Sequence, residues 1–270
     1  MAKGSRRKDD RQLDLFDTPV VMLAPSDNVQ APVKAPPIDP ATFDDARLVD
    51  ALAAASLQDV QAIVAQVVAR RPLGWEGAAL RLWVRYLGFG FQKPMLEQVA
   101  VLDLICQTQS RTLFKEVVAR GPIGESLDAE LLCAAAACYQ PLAQDVVMRG
   151  LSHPSAKVRH AAITIAVQSG VESSELLPCL SDASHDVRRT AAIEIASTGD
   201  AAARDLLIYE MRQQPDQEGL EALAFVANED VVIRLGQIAR QHPDWTPTIL
   251  GVLEAIGGPV ATKVAGGLMG

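Results

Sequence analysis

Leu151-Ser152-His153-Pro154-Ser155-Ala156-Lys157-Val158-Arg159-His160-Ala161-Ala162 returns twenty-nine residues later as Leu180-Ser181-Asp182-Ala183-Ser184-His185-Asp186-Val187-Arg188-Arg189-Thr190-Ala191. Beyond the two copies the register slips by one, so that Ile163 and Ile165 correspond to Ile193 and Ile195. A period of about 30 residues has room for two helices and no more. A unit that small cannot bury its own apolar face, so it must stack on its neighbours, which is the sequence signature of a helical repeat array. The repeat therefore predicts an all-α fold, an α-solenoid of helical hairpins.

Outward from the repeat, the apolar spacing is helical from Asp44 onward. It predicts helices near 44–55, 57–71, 76–88, 94–107, 111–120, 127–139 and 141–151 on the N-terminal side. On the C-terminal side it predicts 200–214, 217–227, 230–241, 246–256 and 259–268. The breaks are proline and glycine punctuation at Arg71-Pro72-Leu73-Gly74, Gln92-Lys93-Pro94, Gly121-Pro122 and Gln140-Pro141. Connections this short leave consecutive helices little choice but to pack antiparallel, giving five to seven hairpins. Leu220 to Val226 and Ile249 to Ile256 have the spacing of inner helices, and the last hairpin is expected to close the core as a cap. Asp39-Pro40-Ala41-Thr42 offers helix-start chemistry, which puts the ordered domain at 39–270.

The two copies resemble HEAT repeats of the short bacterial type, whose second helix opens with L-x-D-x-x-x-x-V-R-x-x-A. That resemblance implies that Val158 and Val187 are core positions. It also implies that Arg159 and Arg188 lie along a ladder of side chains between repeats, with Asp182 as partner for one of them. The first copy departs from the pattern with His153 where the aspartate is expected.

Composition agrees with helices. The 270 residues are 49% hydrophobic but only 4% aromatic, and Ala and Leu dominate beyond residue 40. About 230 residues suffice for one large domain with a well-buried core. No apolar run is long enough to cross a bilayer and the N-terminus has no apolar signal region, so a soluble, cytoplasmic protein is expected with no membrane partner. Cys106, Cys133, Cys138 and Cys179 lack metal-type spacing and read as reduced core residues. The net charge is −8; with residues 1–38 set aside, 19 basic side chains face 28 acidic ones. A body that acidic is a poor general ligand for phosphate backbones. DNA contact is thus expected to be indirect, or through the basic N-terminal cluster Lys3, Arg6, Arg7, Lys8 and Arg11.

Residues 1–38 have the composition of a disordered arm, basic at first and then proline-rich. Set in it is Gln12-Leu13-Asp14-Leu15-Phe16, an apolar cluster with no core to join. QLDLF resembles the pentapeptide, usually written Q-L-(S/D)-L-F, by which bacterial polymerases, mismatch-repair proteins and initiator regulators hold the sliding clamp of DNA replication. The resemblance implies that Leu15 and Phe16 fill a deep apolar pocket on the clamp and Leu13 a shallower one. Gln12 would bond at the rim and Asp14 would hold the turn. Burying three large apolar side chains is worth roughly 1.5–3 kcal/mol each, and ordering the peptide takes back a good part. Micromolar affinity, about −8 kcal/mol, is the natural outcome. Prolines through residues 17–40 would hold the motif away from the body, over a reach of roughly 70 Å if fully polyproline-like.

No catalytic centre, metal site or cofactor is predicted. His153, His160, His185 and His242 follow no zinc-peptidase or deaminase spacing, although the first three could approach one another on adjacent repeats. Phosphate-cradling glycine patterns are absent, and Gly88-Phe89-Gly90-Phe91 reads as a helix stop. One enzyme class on similar architecture, the HEAT-like alkylpurine DNA glycosylases, would need aromatic side chains and a carboxylate. Trp75, Trp83, Tyr86 and Glu76 are the grouped candidates. Lys157, Arg159, Arg188 and Arg189 form a possible repeat surface, extended by Arg149 and nearly neutralised by Glu172, Glu175, Asp182 and Asp186. The expectation is a non-enzymatic adaptor or regulator in DNA replication or repair. Its arm would bind the clamp and its repeats a second, unidentified protein, the alternatives being the glycosylase or a plain scaffold with an incidental QLDLF.

Overall fold

The structure is a computed structural model that describes residues 38–87, 95–121 and 123–270. The pentapeptide Gln12–Phe16, the basic cluster before it, the proline-rich linker up to residue 37 and the Gly88–Phe91 stop lie outside the described residues. Ile38–Gly270 forms one compact unit. Among the described residues there are fifteen α-helices and no strand.

The first half contains α1 (Asp45–Ala54), α2 (Val60–Arg70), α3 (Trp75–Arg85), α4 (Leu96–Thr108), α5 (Arg111–Ala119), α6 (Asp128–Cys138), α7 (Gln144–Leu151) and α8 (Ala156–Ala166). The second half contains α9 (Ser173–Leu176), α10 (His185–Ser197), α11 (Arg204–Gln213), α12 (Gln217–Phe225), α13 (Glu229–Gln241), α14 (Thr246–Ile256) and α15 (Gly258–Met269). The helix-start chemistry at Asp39 and the helix read near 44–55 are separate elements. Asp39 accepts Ala41 N at 3.1 Å and opens only a 3₁₀ turn, whereas Asp44, accepting Arg47 N at 2.8 Å, caps the first true helix. Ser110, Asp216 and Asn228 cap α5, α12 and α13 in the same way. The helix ahead of α10 is one turn long and passes into a 3₁₀ segment, Leu177–Ser181. Pro178 stands at its second position, lacking the N–H that a longer α-helix would need there.

Every principal helix contact joins elements one or two positions apart along the chain. The even-numbered helices from α2 to α14 pack each on the next even one and form a continuous layer. Most odd-numbered helices cover its other side, with α1 on α3, α3 on α5, α11 on α13 and α13 on α15. The core runs between the layers, through Leu48, Ile63, Leu82, Leu102, Leu132, Ile165, Leu207, Leu235 and Ile249, none more than 1% exposed. Val158 and Val187 lie in it as well, at 6% and 0%. Small residues set the closest approaches. A Cβ on Gly150 of α7 would lie 2.5 Å from Leu132 Cδ1 and 2.8 Å from Ala162 Cβ, so only glycine lets α7 sit this close to α6 and α8.

Candidate functional site

Arg159 links the two copies of the repeat. Its Nε and Nη2 donate to Asp182 Oδ2 and Oδ1 at 2.7 and 2.8 Å, a bidentate pair across neighbouring hairpins. Its Nη1 turns back to the carbonyls of His153 and Pro154 at 2.8 and 2.9 Å. Arg188 repeats the second half of this, donating to the carbonyls of Asp182 and Ala183 at 2.7 and 3.2 Å. The departure at His153 is explained by geometry. Its Nδ1 accepts Ser155 N at 3.1 Å, just as Asp182 Oδ1 accepts Ser184 N at 2.8 Å, so the imidazole takes over the turn-capping role and leaves out the carboxylate. The Arg159 guanidinium holds the Asp182 carboxyl below the usual carboxylate range.

Arg189 bonds Asp216 through Nε at 3.1 Å, while the other oxygen of Asp216 caps α12 through Gly219 N. Arg149 pairs with Asp128 at 2.7 Å and with Asp145 at 3.0 Å. Arginines close other hairpins similarly: Arg70 with Asp45 and the Phe43 carbonyl, Arg85 with the carbonyls of Ala53 and Ala55, and Arg204 with that of Val226. Of the four basic residues read as a possible repeat surface, Lys157 is exposed. Arg159, Arg188 and Arg189 are half-buried and committed to these internal bonds. They do not make a free cationic ridge.

The histidines go to separate tasks. His185 Nε2 meets Glu210 Oε2 at 2.7 Å, tying α10 to α11, and that carboxylate followed by Asp186 raises the imidazole pKa above its ordinary value. His242 Nε2 donates to the Arg212 carbonyl at 2.9 Å. Among the described residues no group of three His, Cys, Asp or Glu side chains is placed to hold a metal ion. The four glycosylase candidates are likewise not gathered on one open face. Trp83 is fully buried, Tyr86 donates its hydroxyl to Glu97 at 3.0 Å, and Glu76 accepts Ser110 Oγ.

Two cavities open on the exposed side of the even-numbered layer. The first, about 270 Å³, lies across α2, α4, α6 and α8 and is lined by Gln61, Asp103, Cys106, Glu130, Cys133 and Lys157. Cys106 and Cys133 are thus half-buried groove residues, where the sequence reading put them in the core; Cys138 and Cys179 are buried as expected. Burial, and then the neighbouring Cys133, push the Cys106 thiol up to about 12, and burial raises Cys133 as well. Both stay protonated near neutrality and are poor nucleophiles. Glu130 Oε2 is buried without a hydrogen-bond partner beside them. The second cavity, about 390 Å³, lies between α12 and α14 and is lined by Glu221, Ala224, Phe225, Thr248, Gly251 and Val252. On α10, burial and then Glu218 push Glu194 up to about 7. The sequence signal for these sites was faint: Phe225 four residues after Glu221 on α12, and Gly251 inside α14.

No family model matches the chain, and no curated protein is similar to it. The arrangement thus offers protonated thiols, internally paired arginines and open, carboxylate-rimmed grooves. No helix among the described residues is long and apolar enough to cross a membrane.

Proposed function

We propose that the chain is a non-enzymatic adaptor, an N-terminal arm that holds the bacterial DNA sliding clamp joined to a helical body that holds another protein. The observation that carries it is the full match of Gln12-Leu13-Asp14-Leu15-Phe16 to the clamp-binding pentapeptide. The body is read as an α-solenoid of HEAT-type repeats. Supporting this are the packing of each helix on neighbours one or two positions away and the like carbonyl contacts of Arg159 and Arg188 in successive copies. Tethering one partner to the clamp raises its local concentration at replicating or repairing DNA. Any occupant of the clamp pocket also excludes competitors, so a regulator acts by the same contact.

The test is a titration of the full chain against purified bacterial sliding clamp, followed by anisotropy or calorimetry. Micromolar binding is expected, weakened at least tenfold, or about 1.4 kcal/mol, by Leu15→Ala with Phe16→Ala. A wild-type chain that does not bind at tens of micromolar removes the reading.

A further inference from the structure

The groove between α12 and α14 combines features that packing alone does not require. Phe225 is 63% exposed, although Leu220 and Leu223 on the same helix are fully buried. Glu221 stands one turn before Phe225 on the same wall, and Gln217 Nε2 holds its Oε1 at 2.8 Å. The opposite wall has Gly251 where a side chain would close the gap, and a Cβ built there meets nothing within 4 Å. Glycine inside a helix lowers its stability, so the opening is kept against helix propensity. α12 and α14 carry Glu218, Glu221 and Glu254 and neither Lys nor Arg.

An aromatic face and an oriented carboxylate around an open slot suit a long cationic side chain. The charge lies over the ring, the carboxylate accepts its N–H groups, and the aliphatic stem follows Ala224 and Val252. We propose that the α12–α14 groove seats an arginine or lysine side chain from a basic segment of a protein partner. The carboxylates extend along both helices beyond the slot, so they match several cations in one segment better than a single free amino acid. This rests on the reading that the body holds a protein, and it is independent of the arm.

The experiment uses the full chain and a short fluorescent peptide of alternating arginine and serine, with binding followed by anisotropy and clamp binding measured in parallel. Micromolar peptide affinity is expected. Gly251→Leu fills the slot and should weaken it about tenfold, while the melting temperature holds or rises because leucine favours helix. Phe225→Ala and Glu221→Gln should each weaken it too, and Asp205→Asn with Glu229→Gln, on the other layer, should leave it unchanged. The proposal is overturned if Gly251→Leu binds like wild type, if the other-layer pair weakens binding equally, or if free arginine competes as well as the peptide. Clamp binding that survives in Gly251→Leu separates failure here from failure of the arm.

Discussion

Glu194 shows how a single side chain can record its surroundings. Its carboxyl titrates at about 7 in the folded protein against an ordinary 4.5, by burial first and by Glu218 second. A folded-state pKa raised in this way gives stability that is complete below the unfolded value and is lost as pH rises through the folded one. Glu194→Gln, neutral throughout, is therefore expected to be more stable than the parent at about pH 8, by on the order of 1–3 kcal/mol. The difference should close at about pH 4.5, which urea denaturation at both pH values checks; equal stability at the higher pH would mean that the ionised carboxylate is well solvated. Residue identities made part of the repeat chemistry legible. Val158 and Val187 are buried as the pattern implied, and Arg159 does meet Asp182. The pairing of Arg189 with Asp216 was not legible, because its partner lies in a later hairpin whose sequence has drifted from the repeat.

At the scale of elements, proline and glycine punctuation located most helices, since a missing N–H or a left-handed residue ends a helix wherever it falls. What it did not show was how three of those ends are made, since no glycine stands at the turn itself. Arg71, Gln109 and Tyr139 all terminate even-numbered helices at positive φ, 47, 55 and 50°. At Gln109 the backbone N–H still closes onto the Ile105 carbonyl at 2.8 Å, so α4 finishes with its hydrogen bond made and its Cβ strained. An L-residue there costs roughly 1–2 kcal/mol that glycine does not. Gln109→Gly is expected to stabilise the protein by about 0.5–1 kcal/mol after glycine's own entropic penalty, read as a higher urea midpoint; a lower midpoint would show that the glutamine side chain contributes more than its strain removes. The grooves were illegible for a related reason. Cys106, Cys133 and Phe225 are apolar in sequence, and only the position of the facing helix decides whether such a residue is covered.

Across the whole body, contacts stay local. With each helix resting on neighbours one or two positions away, stability is close to a sum over adjacent units, and the end units have a neighbour on one side only. Amide hydrogen exchange is accordingly expected to be slowest across α6, α8 and α10 and to quicken toward α1 and α15, whereas uniform protection from end to end would indicate one all-or-none block. The last helix meets its support through a close approach, since a Cβ on Gly236 of α13 would lie 2.6 Å from Val264 of α15, so even this end unit is fitted to its neighbour. The same neighbour-only packing governs the response to pulling. Because the main contacts among the described residues join neighbouring helices, the body is expected under tension to release a few helices at a time. Force spectroscopy should then record several small steps, where a protein knit together by distant contacts gives a single large one.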